Sequence, residues 1–203
     1  KFKEEIVPVE VPGKNGQISV IDTDEPPRQD SSMEKLSKLK AVYSEGICTA
    51  GNSSTENDGA AAVVLMTASR AEKLGLTQLV RFRSYGVAGA DPTLTYPAVP
   101  ASVNKALNRA GLTIKEMDLI EIQEAFAVQV LADARLMGLT EVDCEQKVNV
   151  NGSGISLGHP IGATGTMRLV TLVHEMNRSS ARYGLETICG GGGQGIAAVV
   201  ERP

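Results

Sequence analysis

Apolar residues recur along this chain with two different periods, and the switches between them mark out its elements. Leu169, Leu172, Val173 and Met176 fall at i, i+3, i+4 and i+7, the spacing of one face of an α-helix. Val103, Ala106, Leu107 and Ala110 repeat that spacing, with Ser102 read as the residue that caps the helix and Gly111 as the one that closes it. A further helix, beginning near Glu124 and stopped by Gly138, is expected to bury Ala127, Val130, Leu131 and Ala134. Between these stretches lie short apolar runs at 61–66, 119–122, 185–188 and 196–200, and a more mixed one at 79–85. Runs of that length predict strands, the unbroken ones buried on both faces. Strand and helix therefore alternate after residue 79, which predicts an α/β layer structure.

The first forty residues read differently. They are charged and broken by proline, so 6–11 predicts an edge strand, 24–30 a loop, and Ser32 the cap of a short helix over 35–39, with no core of their own. Residues 46–62 are small and polar and feed the apolar run at 61–66, which is followed by a helix through 70–73 ending near Gly75. Residues 91–100 form a proline-rich connector, and Thr113 with Glu116 makes a capping-box pair.

Composition narrows the class. Of 203 residues 42% are hydrophobic but only 3% aromatic, without tryptophan, so the core is aliphatic. A net charge of −4 with no basic stripe argues against binding to nucleic acid or to an anionic membrane surface, and favours a small molecule or another protein as partner. No apolar run is long enough to span a bilayer. Cys48, Cys144 and Cys189 show no metal-ligand spacing and are odd in number, which fits a reducing, cytoplasmic setting.

Two places concentrate chemistry. The stretch VNVNGSGISLGHPIGATG at 148–165 sets His159 in a loop with little side-chain bulk, where backbone N–H groups can approach a ligand. Pro160 biases His159 toward an extended backbone and so narrows its aim; a surface turn that merely contains a histidine is the alternative. Cys189 sits at the lip of a glycine-rich hairpin turn running to Gly195, either a structural thiol or a reactive one uncovered by the turn. The remaining histidine, His174, lies off the apolar stripe of its helix and reads as solvated.

Four motifs then stand in order: TAGNSSTENDGAA at 49–61, QEAF at 123–126, GHPIGATG at 158–165 and CGGGGQG at 189–195. Together they resemble the thiolases, the acetyl-CoA acetyltransferase family. The likeness runs on through FKEEIVPVEVP near the start and VPAS at 99–102, so it covers essentially the whole chain. It implies an α/β, thiolase-like fold: residues 1–57 as the end of a loop domain, 58–78 as the closing segment of the N-terminal domain, and 79–203 as the C-terminal βαβαβαββ half, with a mixed five-stranded sheet and layered helices.

The resemblance also implies an enzyme of fatty acid metabolism that transfers acyl groups between coenzyme A thioesters, forming or cleaving a carbon–carbon bond. His159 would activate a nucleophilic cysteine, and Cys189 would exchange a proton with the substrate α-carbon. Gln123 would hold a water at the enolate oxygen and Gly191 would offer a backbone N–H to the tetrahedral oxyanion. Ala50 and Ser54 would line the pantetheine arm, and Phe126 would pack beside the acyl end. None of the three cysteines matches the family nucleophile, so a missing N-terminal half or a partner chain is expected to supply it. Acetyl-CoA or another acyl-CoA is the expected partner, used as substrate with no separate cofactor and no metal. A homodimer or homotetramer is implied, and any targeting signal would lie upstream of Lys1. Gln123 departs from the asparagine or histidine of most relatives by carrying a longer amide, and the connector at 91–100 is short. A non-catalytic acyl-CoA or lipid-binding module of the same fold is the alternative; a β-ketoacyl synthase would want a second histidine at Cys189.

Overall fold

In the computed structural model, which describes residues 1–94 and 96–203, a 3-10 turn (Phe2–Glu4) leads into a hairpin of β1 (Val9–Pro12) and β2 (Ile18–Ile21). Two short helices follow, α1 (Met33–Ser37) and α2 (Ala68–Leu74). The remainder alternates: β3 (Arg81–Gly89), α3 (Ala98–Ala110), β4 (Leu119–Ile122), α4 (Ala127–Leu136), α5 (Glu141–Lys147), the one-turn α6 (Gly154–Leu157), α7 (Thr164–Ser179), β5 (Tyr183–Gly190) and β6 (Gln194–Glu201). The expected connector at 91–100 includes Thr95, which lies outside the described residues.

β3, β6, β5 and β4 form one sheet in that order, with β6 antiparallel to both neighbours and β4 parallel to β5. The sheet is mixed, as expected, but it has four strands and not five. The fifth is reduced to a single bridge between Ile120 and Val148. Asn149 takes a left-handed backbone (φ 48°), which no extended strand can pass through, and its side-chain amide clasps both the N–H and the carbonyl of Ile122.

The sheet carries a core on each face. Ile120, Ile122, Leu185, Ala197 and Val199 pack with Val103, Ala106 and Leu107 of α3, while Leu119 and Val200 pack with Leu169, Leu172, Val173 and Met176 of α7. The two helical stripes read from the sequence are the two buried faces, and β4 is buried at every residue. Gly75 and Gly111 end their helices in the left-handed conformation, and Thr113 with Glu116 forms the capping box. Ser32 caps α1 by accepting the N–H of Lys35.

Several expectations need correction. α3 starts at Ala98, so Ser102 lies inside it and donates to the Val99 carbonyl at 2.7 Å; Pro100 falls in the first turn, where a missing N–H costs no helical bond. α4 starts at Ala127, because residues 125–127 are engaged by the chain at 52–54. Its buried face holds Gln129, Asp133 and Ala134, while Leu131 is 68% exposed. β3 begins and ends later than 79–85, and β2, too short and exposed to register as a buried run, was not anticipated.

The run at 61–66 is not a strand: no strand pairs with it among the described residues, and Val64 is 84% exposed. It lines one side of a cleft of ≈ 1050 Å³ whose other walls include Leu169, Val173 and residues 76–82. His174 is half-buried on that cleft and not fully solvated. No helix among the described residues is long and apolar enough to cross a membrane.

Candidate functional site

The polar segment at 49–57 joins two of the other motifs. Ser53 bridges Phe126, with Ser54 N–H donating to the Ala125 carbonyl at 3.0 Å and Ala127 N–H donating to the Asn52 carbonyl at 2.9 Å. Three residues on, Glu56 bridges His159, whose N–H donates to the Thr55 carbonyl at 3.0 Å and to Asn57 Oδ1 at 3.1 Å. The third motif enters through the sheet, since Gln123 N–H donates to the Thr187 carbonyl, two residues before Cys189. Gln123 and Cys189 therefore stand at the carboxyl ends of adjacent parallel strands, where open α/β sheets commonly place their ligands.

His159 is held on both sides. Thr164, fully buried at the start of α7, donates its single hydroxyl proton to the Pro160 carbonyl at 2.9 Å, so at His159 Nδ1, 2.7 Å away, it accepts. Nδ1 then carries the ring proton and Nε2 keeps its lone pair, the tautomer a general base requires. Burial, and secondarily the Arg168 charge, hold the imidazole below its ordinary range, so the neutral form prevails at neutral pH. A shallow pocket of ≈ 490 Å³ lies beside it, between residues 57–61 and 160–163.

Gln123 is 0% exposed and neither atom of its amide has a partner among the described residues. Gly154 lies directly over it, and a Cβ there would run into Gln123 Nε2. Cys189 is half-buried and free, paired across the hairpin with Gly195. Burial pushes its thiol up, and the charge of Asp133 adds to that. Asp133 is fully buried on α4 with Gln129 Nε2 donating to it, and burial raises its carboxyl to about 7. Gly191 lies exposed at the hairpin tip, and Gln194 Nε2 donates to its carbonyl at 3.2 Å. Ala50 is exposed, Ser54 half-buried and Phe126 45% exposed. Among the described residues no cluster of side chains could hold a metal ion.

Family models of the thiolase C-terminal domain and the thiolase N-terminal domain match residues 76–202 and 1–69. The chain belongs to the thiolase family. An acetyl-CoA acetyltransferase of Pseudomonas aeruginosa is 48% identical over 203 residues, covering 100% of this chain and 51% of its own. A beta-ketothiolase of Cupriavidus necator is 50% identical over 204 residues, covering 99% of this chain and 50% of its own. The crystal structure of the Bacillus anthracis acetyl-CoA acetyltransferase superposes with a TM-score of 0.95 at 40% identity, over 100% of this chain and 50% of that one. Human mitochondrial 3-ketoacyl-CoA thiolase superposes with a TM-score of 0.86 at 38% identity, over 97% and 49%. The chain thus spans about half the length of the curated relatives it matches, and its α/β architecture is the thiolase fold.

Within this thiolase fold, several groups near the motifs escaped the sequence reading. Asn57 and Thr164, which orient His159, fall inside the motif strings but are indistinguishable there from loop filler. Glu121 and Glu186 are opposite one another in the β4–β5 register, and Arg168 of α7 lies near both while donating to the Gly152 carbonyl at 3.2 Å. Burial raises each carboxyl to about 8, against the pull of Arg168.

These shifts fix a pH dependence. In the unfolded chain the same glutamates ionise near 4.5, so ionisation favours unfolding from there upward. Their contribution is fully present below that value, falls as pH rises to about 8 and is flat beyond it. Asp133 acts in the same sense up to about 7, and His159 opposes below its unfolded value of 6.5, as the carboxyls held below their ordinary range, Glu175 and Glu201 among them, do at lower pH. Urea unfolding at a series of pH values is expected to show stability declining between about 5 and 8, with a shallower decline in Glu186→Gln. A stability that climbs across that window would contradict the assignment.

Proposed function

We propose that this chain forms part of an acyltransferase of the thiolase type, which condenses acetyl-CoA with an acyl-CoA to a 3-ketoacyl-CoA or cleaves one by the reverse reaction. The observation that carries the reading is the double docking of residues 49–57, against Phe126 on one side and His159 on the other. With the β4–β5 pairing it gathers an imidazole base, an amide and a thiol-bearing strand end around one region of the sheet.

In this reading His159 Nε2 removes the proton from a nucleophilic cysteine outside this chain. The resulting thiolate attacks the acyl thioester carbon, and the departing coenzyme A thiolate takes that proton back. Cys189, having passed its own proton to His159, then removes a proton from the α-carbon of the second thioester; the enolate carbon attacks the acyl group, and the cysteine thiolate so released takes the proton back from His159. Gln123 would hold a water at the enolate oxygen and Gly191 would offer its N–H to the tetrahedral oxyanion. Ala50, Ser54 and Phe126 are assigned to the pantetheine arm and the acyl end. Residues 1–57, 58–78 and 79–203 are assigned to the loop domain, the N-terminal domain and the C-terminal domain. The substrates are coenzyme A thioesters, with no separate cofactor, in a cytoplasmic homodimer or homotetramer.

A non-catalytic acyl-CoA-binding module is the second reading, favoured by the Gln123 amide sealed beneath Gly154. Thiolysis of acetoacetyl-CoA by the intact polypeptide, followed at the enolate absorbance, separates the two. Turnover is expected; acyl-CoA binding without turnover would leave the binding module.

A further inference from the structure

Glu124 has no part in the reaction above, yet its carboxylate fastens the loop that leads to His159 at two points. Oε2 accepts the N–H of Ile155 at 3.1 Å, and Oε1 accepts Asn149 Nδ2 at 3.2 Å. Ile155 lies in the one-turn α6, whose opening N–H groups have no partner within the helix. A carboxylate is a strong acceptor for such a group, forming a bond roughly twice as strong as a neutral one. Around the same point Asn149 clasps both backbone groups of Ile122, and Ser153 Oγ donates to the Ile122 carbonyl at 3.2 Å.

The loop is thus tied to the end of β4 on either side of Gly154. Gly154 in turn is pressed onto the Gln123 amide and close to the Glu124 carbonyl, which a Cβ would approach to 2.9 Å. From Ile155 the chain runs through α6 to Gly158 and then His159, which is anchored separately by Thr55, Asn57 and Thr164.

We propose that Glu124 is a positioning residue: by gripping Ile155 N–H and Asn149 it fixes the separation between the Gln123 amide, assigned to the enolate, and His159, assigned to proton transfer. The proposal rests on the acyl-transfer reading. Groups that must act on one substrate in succession tolerate little error, since a misplacement of about 1 Å costs on the order of a hundredfold in rate.

Glu124→Ala and Glu124→Gln, made in the intact polypeptide, test it. Glu124→Ala is expected to lower kcat roughly tenfold to hundredfold with KM for the acyl thioester within about twofold, and to speed hydrogen exchange at the Ile155 amide at least about tenfold. Glu124→Gln keeps one acceptor oxygen for the Ile155 N–H but turns a donor toward Asn149 Nδ2, and is expected to recover the Ile155 protection and part of kcat. Unchanged kcat in Glu124→Ala, with Ile155 exchange accelerated, overturns the positioning role alone. A loss of kcat that follows the melting temperature and is not recovered by Glu124→Gln also overturns it, as a purely structural effect. Absence of turnover in the wild-type polypeptide sinks this proposal together with the reading beneath it.

Discussion

Cys189→Ala in the intact polypeptide is expected to stop carbon–carbon bond formation while leaving the enzyme able to take up an acyl group, whereas His159→Ala is expected to stop both. In the proposed reaction the difference follows from which proton each side chain would handle. His159, with Nδ1–H directed at Thr164 and Nε2 free, is arranged as a neutral base toward an attacking thiol. Its loss removes the step from which every later one starts. In that reaction Cys189 would be needed only when the second thioester arrives. Its thiol, raised by burial and by Asp133, gives a strong base once ionised, suited to a weakly acidic carbon. Removing a positioned acid/base of this kind typically costs about 10²-fold to 10⁴-fold. Incubation with acetyl-CoA followed by intact mass spectrometry should therefore find Cys189→Ala acylated but unable to form acetoacetyl-CoA. His159→Ala should remain unmodified. Equal loss of acylation in both variants would take Cys189 out of the assigned role.

The parts of the fold that were legible in the sequence are those in which one helical face or one short strand alone determines burial. The stripes at 103–110 and 169–176 and the strands at 119–122, 185–188 and 196–200 fall where their pattern predicts, although Ile196 is left exposed. The failures are cases where a neighbour distant in sequence decides. The apolar run at 61–66 has the composition of a buried strand, but a strand needs a ladder partner, and none pairs with it among the described residues. Leu131 has the right spacing for the core, yet α4 turns Gln129 and Asp133 inward instead. The polar pair lies buried beside the thiol-bearing strand end, where hydrophobic periodicity has nothing to say. Ser102 looks like a cap because Pro100 looks like a barrier; in the first turn of a helix it is none.

The candidate site divides in the same way. Its motif strings are visible as strings, but their convergence depends on backbone bridges from 53 to 126 and from 56 to 159 that no local pattern announces. Glu124 is the sharpest instance. In sequence it is a charged residue ahead of a helix, and its two contacts lie at Asn149 and Ile155, reached only through the fold. Arg168 goes unread in the sequence pattern, although it is buried near two glutamates and donates to the loop that leads to His159.

Gly195→Ala and Gly86→Ala are expected to be comparably damaging single-methyl changes in the sheet for stability, with Gly195→Ala damaging the reaction as well. A Cβ at Gly195 would strike the Ala98 carbonyl and lie 2.9 Å from Val99 N, and one at Gly86 would strike the Ser102 carbonyl and lie 2.8 Å from Ala106 N. Both obstacles belong to the backbone of α3, so no rotamer change relieves them; the helix must lift away from β3 and β6. Overpacking of this kind costs about 3 kcal/mol at the upper end of its usual range, whereas Gly162→Ala, whose Cβ meets nothing within 4 Å, is expected to cost under about 0.5 kcal/mol. Urea unfolding of the three variants measures the contrast. The two strained variants then part company in function, because Gly195 is paired with Cys189 in the β5–β6 register while Gly86 is paired with Ala197, deeper in the sheet. Lifting α3 at Gly195 shifts the strand end that carries the thiol, so at a temperature where each variant is fully folded Gly195→Ala should lose condensation and Gly86→Ala should retain most of it. Equal activity in the two would mean that the start of α3 does not set the position of Cys189, and that the hairpin turn holds the thiol by itself.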